Sequence, residues 1–377
     1  TSLYRRRLVL FYQGSLLVEN DLALFDRYLR FPSRVPDYRG GRGHGEFCTT
    51  LAREGYRLGV DRVMASLERV ARVAPDAIEL AFGNVDVRLH YEGAIPAPVC
   101  AEIIRRNATT LPTGFANLQF TALANVPAGS PFFPAAYHEG EEPHFSLAME
   151  AADAAVQAFK LGRSISEGQR ILVDLLEENA HTLVRVADLL KFKYQIRFGG
   201  IDLSLAPFPE RSRSGGAAVE AMGVPRVGLH GSLAAAAILT GAIDQANFPH
   251  TGFCGSFQPV LEDAVLAERA AEGTLTIKDL LLYSAVCGTG LDTVPLAGDV
   301  SRGQLSALLL DVCALALRLD KPLTARLMPI PGKQAGDETN FDFGYFANSR
   351  VMKLEAEALG KALGGDETIA VVKRTPR

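Results

Sequence analysis

Cys287 opens the turn Gly288-Thr289-Gly290, and Asp292 follows five residues after the thiol, within Leu280–Pro295 (LLLYSAVCGTGLDTVP). A thiol at the mouth of a glycine-rich turn, with a carboxylate close behind, is a candidate reactive site. The thiolate is the reactive form. The helix expected over Thr276–Val286 would present its negative C-terminal end to that sulfur and oppose ionisation unless a cation stands nearby. The structural alternative is a buried helix-end cysteine with Gly288 as its left-handed cap.

Four further constellations could carry chemistry. In Val227–Ser232 (VGLHGS) a strand over Val224–Leu229 would end at His230, and Gly231-Ser232 would open a helix. Such a turn aims backbone N–H groups outward for an anion, with His230 as general acid or base. Alternatively, Ser232 is a simple N-cap and His230 a turn residue. In Thr251–Asp263 (TGFCGSFQPVLED), Gly252 and Gly255 bracket Cys254 and permit a tight turn. Glu262 and Asp263 would then fall in the first turn of a helix over Pro259–Ala271 and complement its dipole. They would hold a divalent metal only with further ligands from elsewhere. Asp202 and Ser204 share one face of a strand expected over Ile196–Leu205. That face meets a polar interior in a barrel and solvent in a sandwich. Arg326 could clamp a carboxylate or phosphate, or close an internal salt bridge. Phe341, Phe343, Tyr345 and Phe346 read as packing. His138 and His144 form no metal-ligand spacing, and no P-loop, G-x-S-x-G or Rossmann fingerprint occurs.

The elements that must position these residues alternate. A strand is expected at Arg7–Tyr12, helices at Asp21–Leu29 and Gly59–Val73, a loop over Pro32–Gly45 and a strand at Val85–Leu89. Beyond Pro96 come a helix at Pro98–Arg106, a strand at Phe115–Leu123 and a loop over Asn125–Pro134. An Ala-rich helix is expected at Phe145–Phe159, then a long helix to Lys193 capped by Ser166 and Gln169. After the strand ending at Leu205 follow a helix at Gly215–Met222, the strand and turn of VGLHGS, and a helix at Ser232–Ala246. The helices at Pro259–Ala271 and Thr276–Val286 come next, and Ser301 with Gln304 caps another to Leu319. A strand at Leu323–Ile330, a helix at Val351–Leu363 and a strand at Thr368–Val372 close the chain. This order predicts an α/β layered or barrel fold.

Composition narrows the function class. Apolar residues make up 48% and charged residues 22% of 377, with a net charge of −4, which fits a globular protein. No basic run is long enough for a nucleic-acid arm, and Leu233–Leu239 is too short to span a bilayer. The expected partner is therefore a small-molecule ligand, with no nucleic acid and no membrane, and homo-oligomerisation is left open. Five scattered cysteines without a CxxC spacing predict reduced thiols in a cytoplasmic protein. The start at Thr1 suggests that residues precede it in the natural protein.

The chain resembles an uncharacterised family, a domain-of-unknown-function group whose members look like pyruvate formate-lyase in fold. The runs that carry this are Gly114–His138, Phe198–Pro209, Val227–Ala237, Pro259–Ala267, Lys278–Leu296 and Lys321–Asp337, within Ala94–Met352. Residues 1–93 match poorly. The family usually has a longer N-terminal part, and joins such as Gln13-Gly14 and Gly83-Asn84 are where loops would be missing. The resemblance implies a pyruvate-formate-lyase-like α/β barrel of two half-barrels over residues 94–377, preceded by an N-terminal α/β segment over 1–93. It implies a central cysteine loop at Cys287. Radical members carry a C-terminal glycine in an Arg-Val-x-Gly setting, and Ser349-Arg350-Val351-Met352-Lys353 lacks it, so glycyl-radical chemistry is not expected. Family members commonly show Ser at the position of Cys254, which argues against that thiol as a nucleophile.

The expected function is a non-radical enzyme acting on a small polar or anionic metabolite inside the barrel. His230 would be acid/base, Cys287 a thiol or polar wall, and Asp202 and Asp292 orienting carboxylates. Arg326 would hold the substrate anion, with Gly231, Ser232, Gly288 and Gly290 shaping the pocket. Apart from a divalent metal, which the last of the alternatives would use, no cofactor is expected. The alternatives are a non-catalytic ligand-binding or regulatory barrel, and a metal-dependent lyase or hydrolase using Glu262, Asp263 and His230.

Overall fold

The computed structural model describes residues 97–111, 113–127, 130–132, 144–364 and 371–374, all within the unit Ala94–Arg377. The expectations for residues 1–93, and the boundary after them, lie outside the described residues. The described chain is a mixed α/β structure in which helices surround small sheets. Among the described residues no helix is long and apolar enough to cross a membrane.

Helix α1 (Ala97–Thr110) leads into a single 3-10 turn, Phe115–Gln119, and the short strand β1 (Ala122–Ala124). The strand expected over Phe115–Leu123 is thus mostly a turn. Gly114 sits at φ 71, and the buried Asn117 Nδ2 donates to Ile104 O at 2.9 Å. Strand β2 (His144–Glu150) and helix α2 (Ala152–Leu161) replace the single helix expected over Phe145–Phe159. Phe145, Leu147 and Met149 alternate and pair with β3, and the helical pattern begins only at Ala152. Helix α3 (Ile165–Tyr194) is capped by Ser164, which accepts from Glu167 N, two residues before the expected cap.

Strand β3 (Arg197–Ser204), helix α4 (Gly215–Ala221) and helix α5 (Ser232–Gln245) match their expected places. The strand expected at Val224–Leu229 is absent. Gly228 has φ 103, and a Cβ there would lie 1.9 Å from Thr274 O, so the chain turns where no side chain fits. Glu220 accepts the Val227 N–H and the guanidinium of Arg269, pinning this loop.

Helix α6 (Ala264–Glu272) starts five residues after Pro259. Val260 N donates to Asp292 O at 3.1 Å, which holds the preceding residues extended. Helix α7 (Ile277–Tyr283) begins at a capping box of Thr276 and Asp279. Strand β4 (Gly290–Ala297) starts at the last residue of the expected Gly288–Gly290 turn and runs through residues given no element in the sequence reading. Helix α8 (Arg302–Leu319) has the expected Ser301–Gln304 capping box, and strand β5 (Leu323–Ile330) is fully buried. The helix expected at Val351–Leu363 does not form; Val351 N donates to Asp337 O and Met352 N to Pro295 O, and Met352 bridges Leu296 of β4. Of that stretch only Lys361–Gly364 coils, as a 3-10 turn.

Strand β5 lies between β1, antiparallel, and β4, parallel; β2 and β3 form a separate parallel pair. The segment 249–260 joins the two. Its parallel bridges link Ile201 to His250, Leu205 to Ser256 and Pro259 to Asp292. Backbone order across the molecule is therefore β2, β3, 249–260, β4, β5, β1. The approach of 249–260 to β4 requires glycine on both sides. A Cβ on Gly255 would meet Gly288 Cα at 2.3 Å, and one on Gly288 would meet Gly255 Cα at 2.7 Å.

Gly290 is as constrained. Its φ is 108, and an added Cβ would stand 2.5 Å from Thr324 O. Gly290→Ala is expected to destabilise the fold by about 3 kcal/mol through backbone strain and overpacking at the β4–β5 seam. Urea unfolding monitored by far-UV circular dichroism measures this; a midpoint equal to that of the parent would refute it.

Candidate functional site

Strand β5 places Arg326 beside β4, and its guanidinium meets two carboxylates. Nε donates to Asp292 Oδ1 at 2.6 Å, Nη2 to Glu262 Oε1 at 2.6 Å and Nη1 to Leu118 O at 3.3 Å. Arg326 and Asp292 retain 8% and 1% side-chain exposure, whereas Glu262 keeps 28%. The three residues come from β5, β4 and the loop before α6. Charge-assisted bonds of this length fix both acids on the planar fork. Of the two sequence expectations for Arg326, the internal salt bridge is present, formed with the chain's own acids.

Glu262 is the accessible member. Burial, the largest influence, pushes its carboxyl up to about 7; Arg326 opposes this, while Asp292 and Glu150 add to it. Glu150, the last residue of β2, reaches solvent, yet burial also pushes its carboxyl up, with Arg213 opposing. Phe208 stacks edge-on against Tyr345 at 5.8 Å, and the Arg213 guanidinium lies 5.3 Å from the Phe208 ring. Ala347 N donates to Leu261 O at 2.7 Å, so the loop carrying Tyr345 is tied to the residue preceding Glu262.

The other expected site residues go elsewhere. Asp263 does not share the surroundings of Glu262. It is fully buried and caps α6, accepting from Val265 N, Leu266 N, Gly216 N and Ser214 Oγ. The proposed Glu262–Asp263 metal pair is therefore split between two environments. Among the described residues, no three His, Cys, Asp or Glu side chains gather as a metal would require.

Asp202 is a turn anchor rather than a substrate-orienting acid. It accepts from Phe253 N, Cys254 N and Ser204 Oγ. A Cβ on Gly252 would come within 2.1 Å of its Oδ2. Cys254, at φ 36, belongs to that turn.

His230 and Cys287 do not form the expected pair. His230 is exposed on its turn, while Cys287 is fully buried. Gly231, at φ 107, is the N-cap of α5. Ser232 Oγ accepts from Gly228 N and donates to Leu229 O, so it stitches the loop. Gly288 and Gly290 serve the close backbone approaches described above. The helix end before Cys287 does meet a cation. Lys321 Nζ donates to Ser284 O at 2.9 Å and to Cys287 O. Burial pulls its ammonium down, with Cys287 and Asp244 opposing. That is a lysine satisfying orphan helix-end carbonyls.

Sequence reasoning missed Glu150, because the run His144–Glu150 was merged into a helix; its strict alternation was the available signal. It also missed Thr293 and Lys321, which carry no local signature.

A family model described as "Uncharacterised ACR (DUF711)" matches residues 51–348. A "UPF0210 protein" of Pyrobaculum arsenaticum is 35% identical over 290 residues, covering 74% of this chain and 63% of the relative. A "UPF0210 protein" of Acetivibrio thermocellus is 28% identical over 344 residues, covering 87% of this chain and 75% of the relative. Two further Pyrobaculum relatives, of Pyrobaculum aerophilum and Pyrobaculum islandicum, are 36% and 37% identical. The matched part spans 54% and 51% of their own lengths.

Proposed function

The chain belongs to the uncharacterised DUF711 family, and within it we propose a non-radical acid–base enzyme acting on a small polar metabolite, with Glu262 carrying the proton. The observation that carries this reading is the asymmetry of the two acids on Arg326. Asp292 is sealed against the guanidinium, while Glu262 shares the same fork and still reaches solvent. A carboxyl pushed up to about 7 exchanges protons near neutral pH, as a general acid or base must. Glu150, whose charge acts on Glu262, is a second acid for the opposite half of a proton transfer. Two carboxylates share one buried arginine and the charge of Glu150 also acts on Glu262, which disfavours an anionic group at Glu262, so the substrate presents a neutral or proton-bearing polar group there.

The fold reading that accompanies this proposal is the pyruvate-formate-lyase-like barrel of two half-barrels. It is supported by the backbone order β2, β3, 249–260, β4, β5, β1, in which every pairing except β5–β1 is parallel. Glu150 ends β2 and Glu262 follows 249–260, so both stand past carboxyl ends of parallel segments, where α/β sheets place their ligands. The second reading, a ligand-binding protein without turnover, is favoured by the burial of Cys287.

A ligand-observed NMR screen of small polar metabolites, followed by time courses on each binder, tests the proposal. The parent should convert at least one binder, and Glu262→Gln should bind it without conversion. Binding without conversion by the parent favours the second reading, and conversion by Glu262→Gln refutes the role of Glu262.

A further inference from the structure

We propose that Thr293 is a positioning residue that holds Asp292 and Glu262 on their two sides of Arg326; this rests on the reading of Glu262 given above. Thr293 has φ 39 in the middle of a buried strand. A β-branched residue in the left-handed region is a backbone outlier that persists only where its surroundings impose it. The strain coincides with a register shift in the β4–β5 ladder between Leu291 and Val294. Leu291 pairs with Ala325 and Val294 with Leu327, so β4 advances three residues where β5 advances two. The irregularity at Asp292-Thr293 absorbs that mismatch, as a bulge does, and re-aims the side chain beside it. That side chain is Asp292, whose Oδ1 meets Arg326 Nε.

The hydroxyl of Thr293 acts on the other acid. Asp292 O accepts the Val260 N–H at 3.1 Å. One step further along the same seam the acceptor is a side chain: Leu261 N donates to Thr293 Oγ1 at 3.3 Å. Leu261 is thereby held at its N–H by Thr293 and at its carbonyl by Ala347, and Glu262 is the next residue. One strained residue thus fixes the strand that carries Asp292 and the segment that carries Glu262. A threonine serving only to fill space would need neither the positive φ nor a hydroxyl aimed at a neighbouring backbone.

The test uses protein carrying 13C-labelled glutamate carboxyls, with the Glu262 signal assigned by its loss in Glu262→Gln. Thr293→Ser retains the hydroxyl; Thr293→Val retains the shape without it; Thr293→Gly accepts the positive φ and lacks the hydroxyl. The Glu262 titration in Thr293→Ser should match the parent. In Thr293→Val and Thr293→Gly it should fall by about one pH unit or more, as Glu262 loosens into water. Should Thr293→Val fail to fold, Thr293→Gly carries the comparison. Parent-like titration in both hydroxyl-free variants overturns the proposal, as does a fall in Thr293→Ser. The Arg326 Nε–Hε resonance is a second readout that does not depend on Glu262. If the parent Glu262 titrates in the ordinary carboxylate range, the reading of Glu262 fails. The role of Thr293 is then decided by that resonance: a shift in Thr293→Gly but not in Thr293→Ser supports it, and no shift in Thr293→Gly overturns it.

Discussion

Arg326→Met should lower folding stability by about 3–5 kcal/mol, the largest loss expected of any single change at this site. The substitution keeps the apolar length of the side chain and removes the charge. Asp292, 1% exposed, would then be buried without its cation, and Leu118 O would lose a donor. An uncompensated buried carboxylate costs far more than the intact pair contributes. Adding Asp292→Asn to Arg326→Met should recover part of the stability by removing the unpaired charge. Urea unfolding of the parent, the single variants and the double variant forms a mutant cycle that isolates the pair. Equal stability of Arg326→Met and the parent at neutral pH would show that the buried triad does not hold the fold.

The second large effect is a pH dependence traceable to one residue. Glu262 holds its proton more tightly in the folded protein, at about 7, than in the unfolded chain, at about 4.3. Below the lower value it is protonated in both states, and its stabilising contribution is complete. That contribution is lost as pH rises toward 7, at up to about 1.4 kcal/mol per pH unit, the slope of one proton. Glu262→Gln should abolish this component. Subtracting its stability curve from that of the parent, measured by urea unfolding between pH 4.5 and 8, removes the contributions of the other acids. Burial also pushes Asp202 and Asp263 up, and they slope the same way, but they are present in both proteins. A flat difference curve would mean that Glu262 titrates as a surface acid.

Particular residues show how far the sequence reached. The Ser301–Gln304 capping box, the helix it starts and the apolar run Leu323–Ile330 were all legible, because each signal lies within a few residues of what it specifies. Long, specific runs identified the family. Errors clustered where a distant partner overrides local preference. Val351–Leu363 has helical spacing, but its start is drawn out alongside β4, where Met352 bridges Leu296. Val224–Leu229 has strand composition, but Gly228 must turn against Thr274.

The sequence by itself determined that Asp292, Arg326 and Glu262 exist in glycine- and proline-punctuated stretches where chemistry could sit, and it read Asp292 and Arg326 as separate site groups. Only the tertiary structure joined them. Arg326 meets partners 34 and 64 residues away, through a parallel strand pair, an irregular neighbouring segment and the bulge at Thr293. Periodicity and capping report on neighbours three or four residues apart. Which carboxylate faces a given guanidinium depends on strand adjacency and on register, and a single inserted residue reverses the register. The same long-range packing left Cys287 buried beneath its turn and Glu262 partly exposed on the Arg326 fork.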